Sequence, residues 1–300
     1  MKRRSKLNKI TLFDVVNTAL VVLITLIIAY PLYFVIVASF SDQTQVSMGN
    51  TLLWIKGFNL DAYKYVLQED RLWIGYRNSL IYTVLGTMYN IALTIPLAYV
   101  MSKQYLPFRG IISWYFFITM YFGGGMIPTY LLIKNLGLIN NPLVMVVGAG
   151  VSTYNMIVAR QYFGTSIHPE LYEAAEIDGA GEWKTFIKIA VPLAKPIIAV
   201  LVLYYGVGHW NNYYSALLYM YKEEWHPLQY VLRVILLTSS NAALTENMTV
   251  EEAMNIMWLQ EIARGMKYAV VFIASAPVLI AYPFVQKYFT KGIMIGSVKG

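Results

Sequence analysis

Residues 169–196 read PELYEAAEIDGAGEWKTFIKIAVPLAKP, with five carboxylates in a chain that is otherwise mostly apolar. Pro169 suits the first turn of a helix, where its missing N–H has no partner to lose. Glu170 and Glu173 then meet the positive end of the helix dipole. Leu171, Ala174, Ala175 and Asp178 follow at i, i+3, i+4 and i+7, which places them on one narrow face. Gly179 and Gly181 end that helix and permit a sharp turn. A second helical piece is expected from Trp183 to about Ile189, leading into Pro192 and Pro196. Taken alone, the stretch is an amphipathic helix at a membrane interface.

The surrounding chain explains why such a module stands out. Of 300 residues, 58% are hydrophobic and 13% charged, against about 25% charged in soluble globular domains. Six stretches approach the roughly 20 apolar residues that cross a bilayer: 15–40, 79–101, 111–133, 142–159, 196–220 and 269–286. The first follows MKRRSKLNK, but its apolar run is longer than a signal peptide's, so it is expected to be retained as a span. With the N-terminus inside, segments 1–14, 102–110, 160–195 and 287–300 carry 14 of the 23 Lys and Arg and 6 of the 16 acids. The outer segments 41–78, 134–141 and 221–268 carry 9 basic and 10 acidic residues. Basic residues in excess on one side orient the chain with both termini cytoplasmic. That distribution accounts for the net charge of +7 without nucleic acid.

The outer stretch LLWIKGFNLDAYKYVL (52–67) is expected to fold on the outer surface. Thr249 and Glu252 form a capping-box pattern ahead of Val250, Ala253, Met254, Met257 and Trp258 at helical spacing, which predicts an amphipathic helix there. Residues 241–258 match no motif.

Several kinds of chemistry have no sequence support. The chain has no cysteine, which removes disulfides and thiolate chemistry. The six spans contain no Asp, Glu, Lys or Arg, only His209, and such buried charges are what proton relays and ion-coupled transporters use. No GxxxxGK[ST] loop is present to bind ATP, and no HExxH or GxSxG pattern. His168, His209 and His226 are scattered. The chain is therefore passive or draws its energy from a partner.

The spacing inside 169–196 supplies that partner. Glu-Ala-Ala at 173–175, Gly179, nine residues, then Ile189, Val191 and Pro192 resembles the EAA loop of bacterial ABC-importer permeases, with Val191 where Leu is usual. The resemblance runs over most of the chain and is closest to carbohydrate permeases of the maltose-transporter type. FGGGMIPTYLLIKNLGLINNP (122–142), HWNNYYSALLYM (209–220) and YPFVQKYFTKGIMIGSVKG (282–300) look like the branch serving complex oligosaccharides. It implies an all-α polytopic membrane protein with six transmembrane helices, residues 1–300 forming a single permease domain of the type I importer fold. It also implies that Glu173, Ala174, Ala175, Asp178 and Gly179 form a coupling helix docked on an ATPase. The implied partners are a second homologous permease in a heterodimer, two ATPase subunits holding ATP and magnesium, and an extracytoplasmic solute-binding protein. No cofactor is expected in this chain, and no enzymatic activity.

A sugar path calls for uncharged hydrogen-bonding groups and flat aromatic faces. Trp210, Asn211, Asn212 and Tyr213 in the fifth span, Tyr121 beside the triple glycine 123–125, and Tyr89 and Asn90 in the second span are the candidates. Polar side chains in a span tend to face the bundle interior. The alternatives are a permease for a non-sugar solute, a membrane enzyme acting on lipid-linked sugars through the acidic 223–261 region, and an ion-coupled transporter.

Overall fold

The computed structural model describes residues 11–240, 254, 264–280 and 283. In chain order the helices are α1 (Leu12–Ser39), α2 (Gln43–Ser47), α3 (Asp61–Leu67), α4 (Asp70–Ser102), α5 (Arg109–Tyr121), α6 (Met126–Asn135), α7 (Val144–Val147) and α8 (Thr153–Thr165). They continue as α9 (Pro169–Ile177), α10 (Glu182–Thr185), a π-turn (Phe186–Ala190), α11 (Val191–Leu193), α12 (Lys195–Trp210), α13 (Tyr214–Tyr219), a 3-10 turn (Glu223–Trp225) and α14 (Leu228–Ser240). A last helix, α15, covers 264–280. Among the described residues the only β pairing is an isolated bridge between Ser41 and Phe58. The helix expected from Thr249 onward lies almost wholly outside the described residues.

Two compact units share the chain: 1–68 with 236–273, and 69–235 with 274–300. In the first, α1 opens on a capping box between Thr11 and Asp14 and buries only Val37, Ala38 and Ser39. Its other faces are apolar and exposed, the mark of a helix made for lipid or for another protein. Phe40 anchors the segment after it, stacking on Tyr63 at 5.0 Å and on Phe58 at 6.2 Å, with Phe272 edge-on at 6.0 Å. Trp54 is 77% exposed.

The second unit is built around α4, whose closest neighbours are α12 and α8. Its buried positions Gly75, Ser79, Tyr82, Gly86, Asn90, Thr94 and Ala98 recur every three or four residues. Leu80, Val84, Leu85, Met88 and Val100 on the other side are exposed. Small and polar residues inside with branched apolar residues outside is the pattern of a helix packed in lipid, where small side chains let backbones approach. At Gly86 the imidazole of His209 lies directly on the backbone, in the space a β-carbon would need. At Gly75 the Cα of Leu228 would stand 3.0 Å from an added β-carbon.

α1 and α4 are long and apolar enough to cross a membrane unbroken; the remaining expected spans are interrupted or only partly described. The third breaks at Phe122–Gly125 into α5 and α6, bent by 110°, where three consecutive glycines each cost about 1 kcal/mol of helix propensity. The fourth is interrupted at Gly148–Ser152, between α7 and α8, and α8 then runs past Arg160 to Thr165. The fifth stops at Trp210 and resumes at Tyr214. The outer 221–268 segment, expected as a long connection, already contains α14, which buries Leu228, Val231, Leu232 and Ile235.

The Gly86–His209 contact sets a test. Gly86→Ala is expected to destabilise the purified protein in detergent by about 1–3 kcal/mol through overpacking. Gly110→Ala, where an added β-carbon meets nothing within 4 Å, is expected to leave the thermal midpoint unchanged.

Candidate functional site

The module 169–196 folds as its residues dictate. Pro169 is the first helical residue of α9. At the other end Gly179 takes φ +70°. Ala180 N–H donates to the Ala175 carbonyl at 2.8 Å and Gly179 N–H to that of Glu176 at 3.0 Å. These two bonds close a Schellman cap, which needs a left-handed residue and hence favours glycine. Past α10, Pro192 offers no N–H to the carbonyl four residues back, and the chain widens into a π-turn in which Val191 N–H reaches the Phe186 carbonyl. The axis then turns by 77° into α12.

The outward face of α9 differs from expectation by about one position. Glu173, Ala174 and Asp178 are exposed, but Ala175 is only 5% exposed and Tyr172 is half-buried. Ala175 therefore belongs to the inward side, and the outward stripe runs through Glu170, Glu173, Ala174 and Ile177. Ile177 is 86% exposed and was not singled out from the sequence. The signal was present in its spacing from Ala174.

Inward, Tyr172 joins an aromatic hub around Tyr99, which is 4% exposed. Tyr99 meets Phe163 of α8 at 5.7 Å, Tyr172 of α9 at 6.0 Å and Phe186 of the π-turn at 5.0 Å. Just past α4, Lys103 enters the same cluster, its ammonium 3.9 Å from the Tyr172 ring centre and 4.5 Å from that of Tyr99. The Glu182 carboxylate lies 3.8 Å from Lys103 and accepts from the hydroxyls of Tyr99, at 3.0 Å, and Tyr105. The Tyr105 hydrogen bond, aided by Tyr99 and Lys103, holds the Glu182 carboxyl below the usual carboxylate range. Burial pushes the Lys103 ammonium down, opposed by Glu182 and Glu176. Because the carboxyl is depressed, its contribution is present above the ordinary glutamate pKa and is lost only as the pH falls through the lowered value. No sequence signal joined Lys103 to Glu182, which stand in different segments.

Three of the seven proposed sugar-path residues make hydrogen bonds within the chain. Asn90 is 1% exposed, and its amide donates to the carbonyls of both Ala149 and Gly150 at 2.5 Å while its oxygen meets His209 Nε2 at 2.6 Å. Thr94 and Tyr205 share a hydrogen bond at 2.8 Å, and the Tyr205 oxygen also accepts from Ser152 N–H at 3.1 Å. Asn90 and Tyr205 thereby satisfy backbone groups freed where the fourth span breaks, and His209 and Thr94 bond those two side chains. Trp210 is 4% exposed and donates Nε1–H to the Ala274 carbonyl at 2.9 Å. It borders an apolar cleft of about 460 Å³ lined by Leu80, Val84, Met88 and Val207, which offers a sugar almost nothing to bond. Asn212 caps α13 by accepting from Ser215 N–H at 3.1 Å. Asn90 and Trp210 thus have their polar groups engaged within the chain, as has the side-chain oxygen of Asn212.

Tyr89 is half-buried beside Gly150. Asn211 and Tyr121 are exposed, Tyr121 packing on Phe117 at 5.1 Å. Tyr213 carries the Arg233 guanidinium 4.7 Å over its ring. Neighbouring hydroxyls of Tyr130 and Tyr221 meet at 3.3 Å. The aromatic and polar surface that remains available gathers at α13 and the segment after it, where sequence reasoning had not placed Tyr130, Tyr221 or Arg233.

The family model described as binding-protein-dependent transport system inner membrane component matches residues 72–295. The chain is 36% identical over 292 residues to Protein LplC of Bacillus subtilis (strain 168), covering 96% of this chain and 95% of that one. It is 35% identical over 296 residues to the polygalacturonan/rhamnogalacturonan transport system permease protein YtcP of the same organism, covering 96% and 99%. Among solved structures it is similar to a chain of a bacterial ABC transporter involved in the import of the acidic polysaccharide alginate. That match has a TM-score of 0.79 and 30% identity and covers 95% of this chain and 99% of that one.

Trp210→Phe is expected to lower thermal stability by about 1 kcal/mol, the worth of its hydrogen bond, without changing the solute concentration for half-maximal uptake. A shifted half-maximal concentration at unchanged stability would place Trp210 in the path.

Proposed function

Because the chain belongs to the family of binding-protein-dependent transport system inner membrane components, we propose that it is the ATPase-coupled half of a carbohydrate importer's transmembrane channel. The chain is a multi-pass membrane permease subunit and not an enzyme. In this reading it pairs with a second, homologous permease. Two ATPase subunits, which bind ATP and magnesium, dock on the cytoplasmic side, and an extracytoplasmic solute-binding protein delivers the solute outside. Both termini are cytoplasmic. The relatives named for polygalacturonan, rhamnogalacturonan and alginate favour an oligosaccharide or polysaccharide fragment as cargo.

One observation carries the coupling role. Outside the apolar helices, α9 exposes Ile177 and Ala174 beside Glu173, and α10 exposes Trp183 at 68%. Apolar side chains grouped on a polar segment mark a surface that another protein covers. Ala174 lets that protein approach closely, Glu173 offers a charge to a basic partner, and Gly179 with Asp178 at the cap fixes the angle between α9 and α10. Closure of the ATPases on ATP would move this pair of helices. The movement passes along the π-turn into α12 and through the aromatic hub into α4 and α8, opening the channel outward. Solute would then meet the aromatic and amide surface near Tyr213 and Asn211.

The test compares two adjacent alanines. Ala174→Arg and Glu173→Ala are expected to abolish or sharply reduce ATPase co-purification and ATP-driven uptake, with membrane levels of the chain unchanged. Ala175→Arg, on the inward side, is expected to reduce the amount of folded chain instead. Full uptake with Ala174→Arg would overturn the docking surface.

A further inference from the structure

The Lys103 site contains more than the aromatic packing requires. Lys103 follows the last turn of α4, yet its nearest partners on the module come from two different helices, the Tyr172 ring of α9 and the Glu182 carboxylate of α10. Its side chain is 12% exposed, whereas that of Glu182 is 65% exposed. The cation is thus fixed among rings, while the carboxylate stands at the rim beside a cleft of about 320 Å³ lined by Pro96, Val100, Tyr105 and Trp183. Only where α9 and α10 keep the angle set at Gly179 do both partners reach the same ammonium.

We infer that Lys103 and Glu182 form a positioning latch that links the end of α4 to the angle between α9 and α10, so that movement of the module is delivered to α4 as well as to α12. The inference rests on the coupling reading above and adds a charged contact to the route through the Tyr99 hub. Packing alone does not account for the pair. A half-buried ion pair is often replaced by apolar residues without loss of stability, and the Tyr99 hub already joins α4 to the module. The charged contact has a property that the apolar hub lacks. The ion pair is the weakest of the carboxylate's ties: at 3.8 Å and 65% exposure its contact with Lys103 can open and close at modest cost, while the hydroxyls of Tyr99 and Tyr105 keep the carboxylate nearby. Lys103 meanwhile keeps its cation–π contacts.

The test uses the assembled transporter in liposomes, reading ATPase co-purification, ATP hydrolysis, uptake and thermal midpoint. Lys103→Met keeps the apolar stem and removes the charge; Glu182→Gln keeps the shape and removes the opposite charge. Both are expected to retain ATPase and thermal midpoint, while uptake per ATP hydrolysed falls about fivefold or more, the size of a modest coupling between sites. Lys103→Arg is expected to keep uptake per ATP within about twofold, since arginine also stacks on aromatic rings and keeps its charge. A merely structural role would lower the thermal midpoint and leave the ratio alone. Unchanged uptake per ATP in both charge-removing variants overturns the latch; should Lys103→Met fail to accumulate, Glu182→Gln decides alone. A wild-type complex without ATPase would overturn the coupling reading, and the latch with it.

Discussion

The interrupted fourth membrane segment is possible because one amide reaches it from elsewhere in the chain. Between α7 and α8 the backbone leaves the helical ladder, and carbonyls freed inside an apolar bundle cost several kcal/mol each unless something bonds them. Asn90 supplies two donors to Ala149 and Gly150, Tyr205 accepts from Ser152, and His209 and Thr94 hold these side chains in place. This seam joins α4 and α12 to the segment that leads into α8. It also gives a structural use to Asn90, which a reading of the sequence assigns to cargo. In the bundle interior an asparagine that stabilises broken backbone and one that binds a sugar look alike until their partners are known.

Much of the architecture could be read from local pattern. The uninterrupted apolar runs of α1 and α4, the start of α9 at Pro169, its stop at Gly179 and the start of α12 by Pro196 all depend on residues adjacent in sequence. The triple glycine at 123–125 marked irregular backbone, although not a bend of 110°. What local pattern could not show was long-range partnership. Asn90 and Ala149, Trp210 and Ala274, Lys103 and Glu182 are each paired across more than one helix, and nothing in either local stretch names the other. The inward turn of Ala175 was hidden for a related reason. Helical periodicity fixes which residues share a face but not which face meets the rest of the chain, and it is Tyr172 against Tyr99 that settles the matter.

The family places the chain among transport subunits that carry no chemistry of their own, and the two ends of α4 show how such a subunit is organised. At the end opposite the hub, Asn78 donates to the carbonyls of Glu224 and His226, Tyr82 donates to that of Trp225, and Ser79 accepts from Leu228 N–H. Asn140 completes that side by accepting from Tyr221 and Lys222 N–H at 3.0 Å each. There the loop is tied by hydrogen bonds to fixed backbone. At the Lys103 end the ties are aromatic and ionic, with the hydroxyls of Tyr99 and Tyr105 donating to the Glu182 carboxylate. One helix thus joins an end held through backbone carbonyls to one held through side chains.

The reversed surface of α4 constrains how its sequence can vary. In a water-soluble helix the outside accepts almost any polar side chain and the inside demands bulk. Here Leu80, Val84 and Met88 could interchange with other oily residues at little cost, whereas Gly75, Gly86 and Ala98 have no room for a larger one. Drift in such a protein would be broad in size but narrow in polarity on the rim, and narrow in both along the seam.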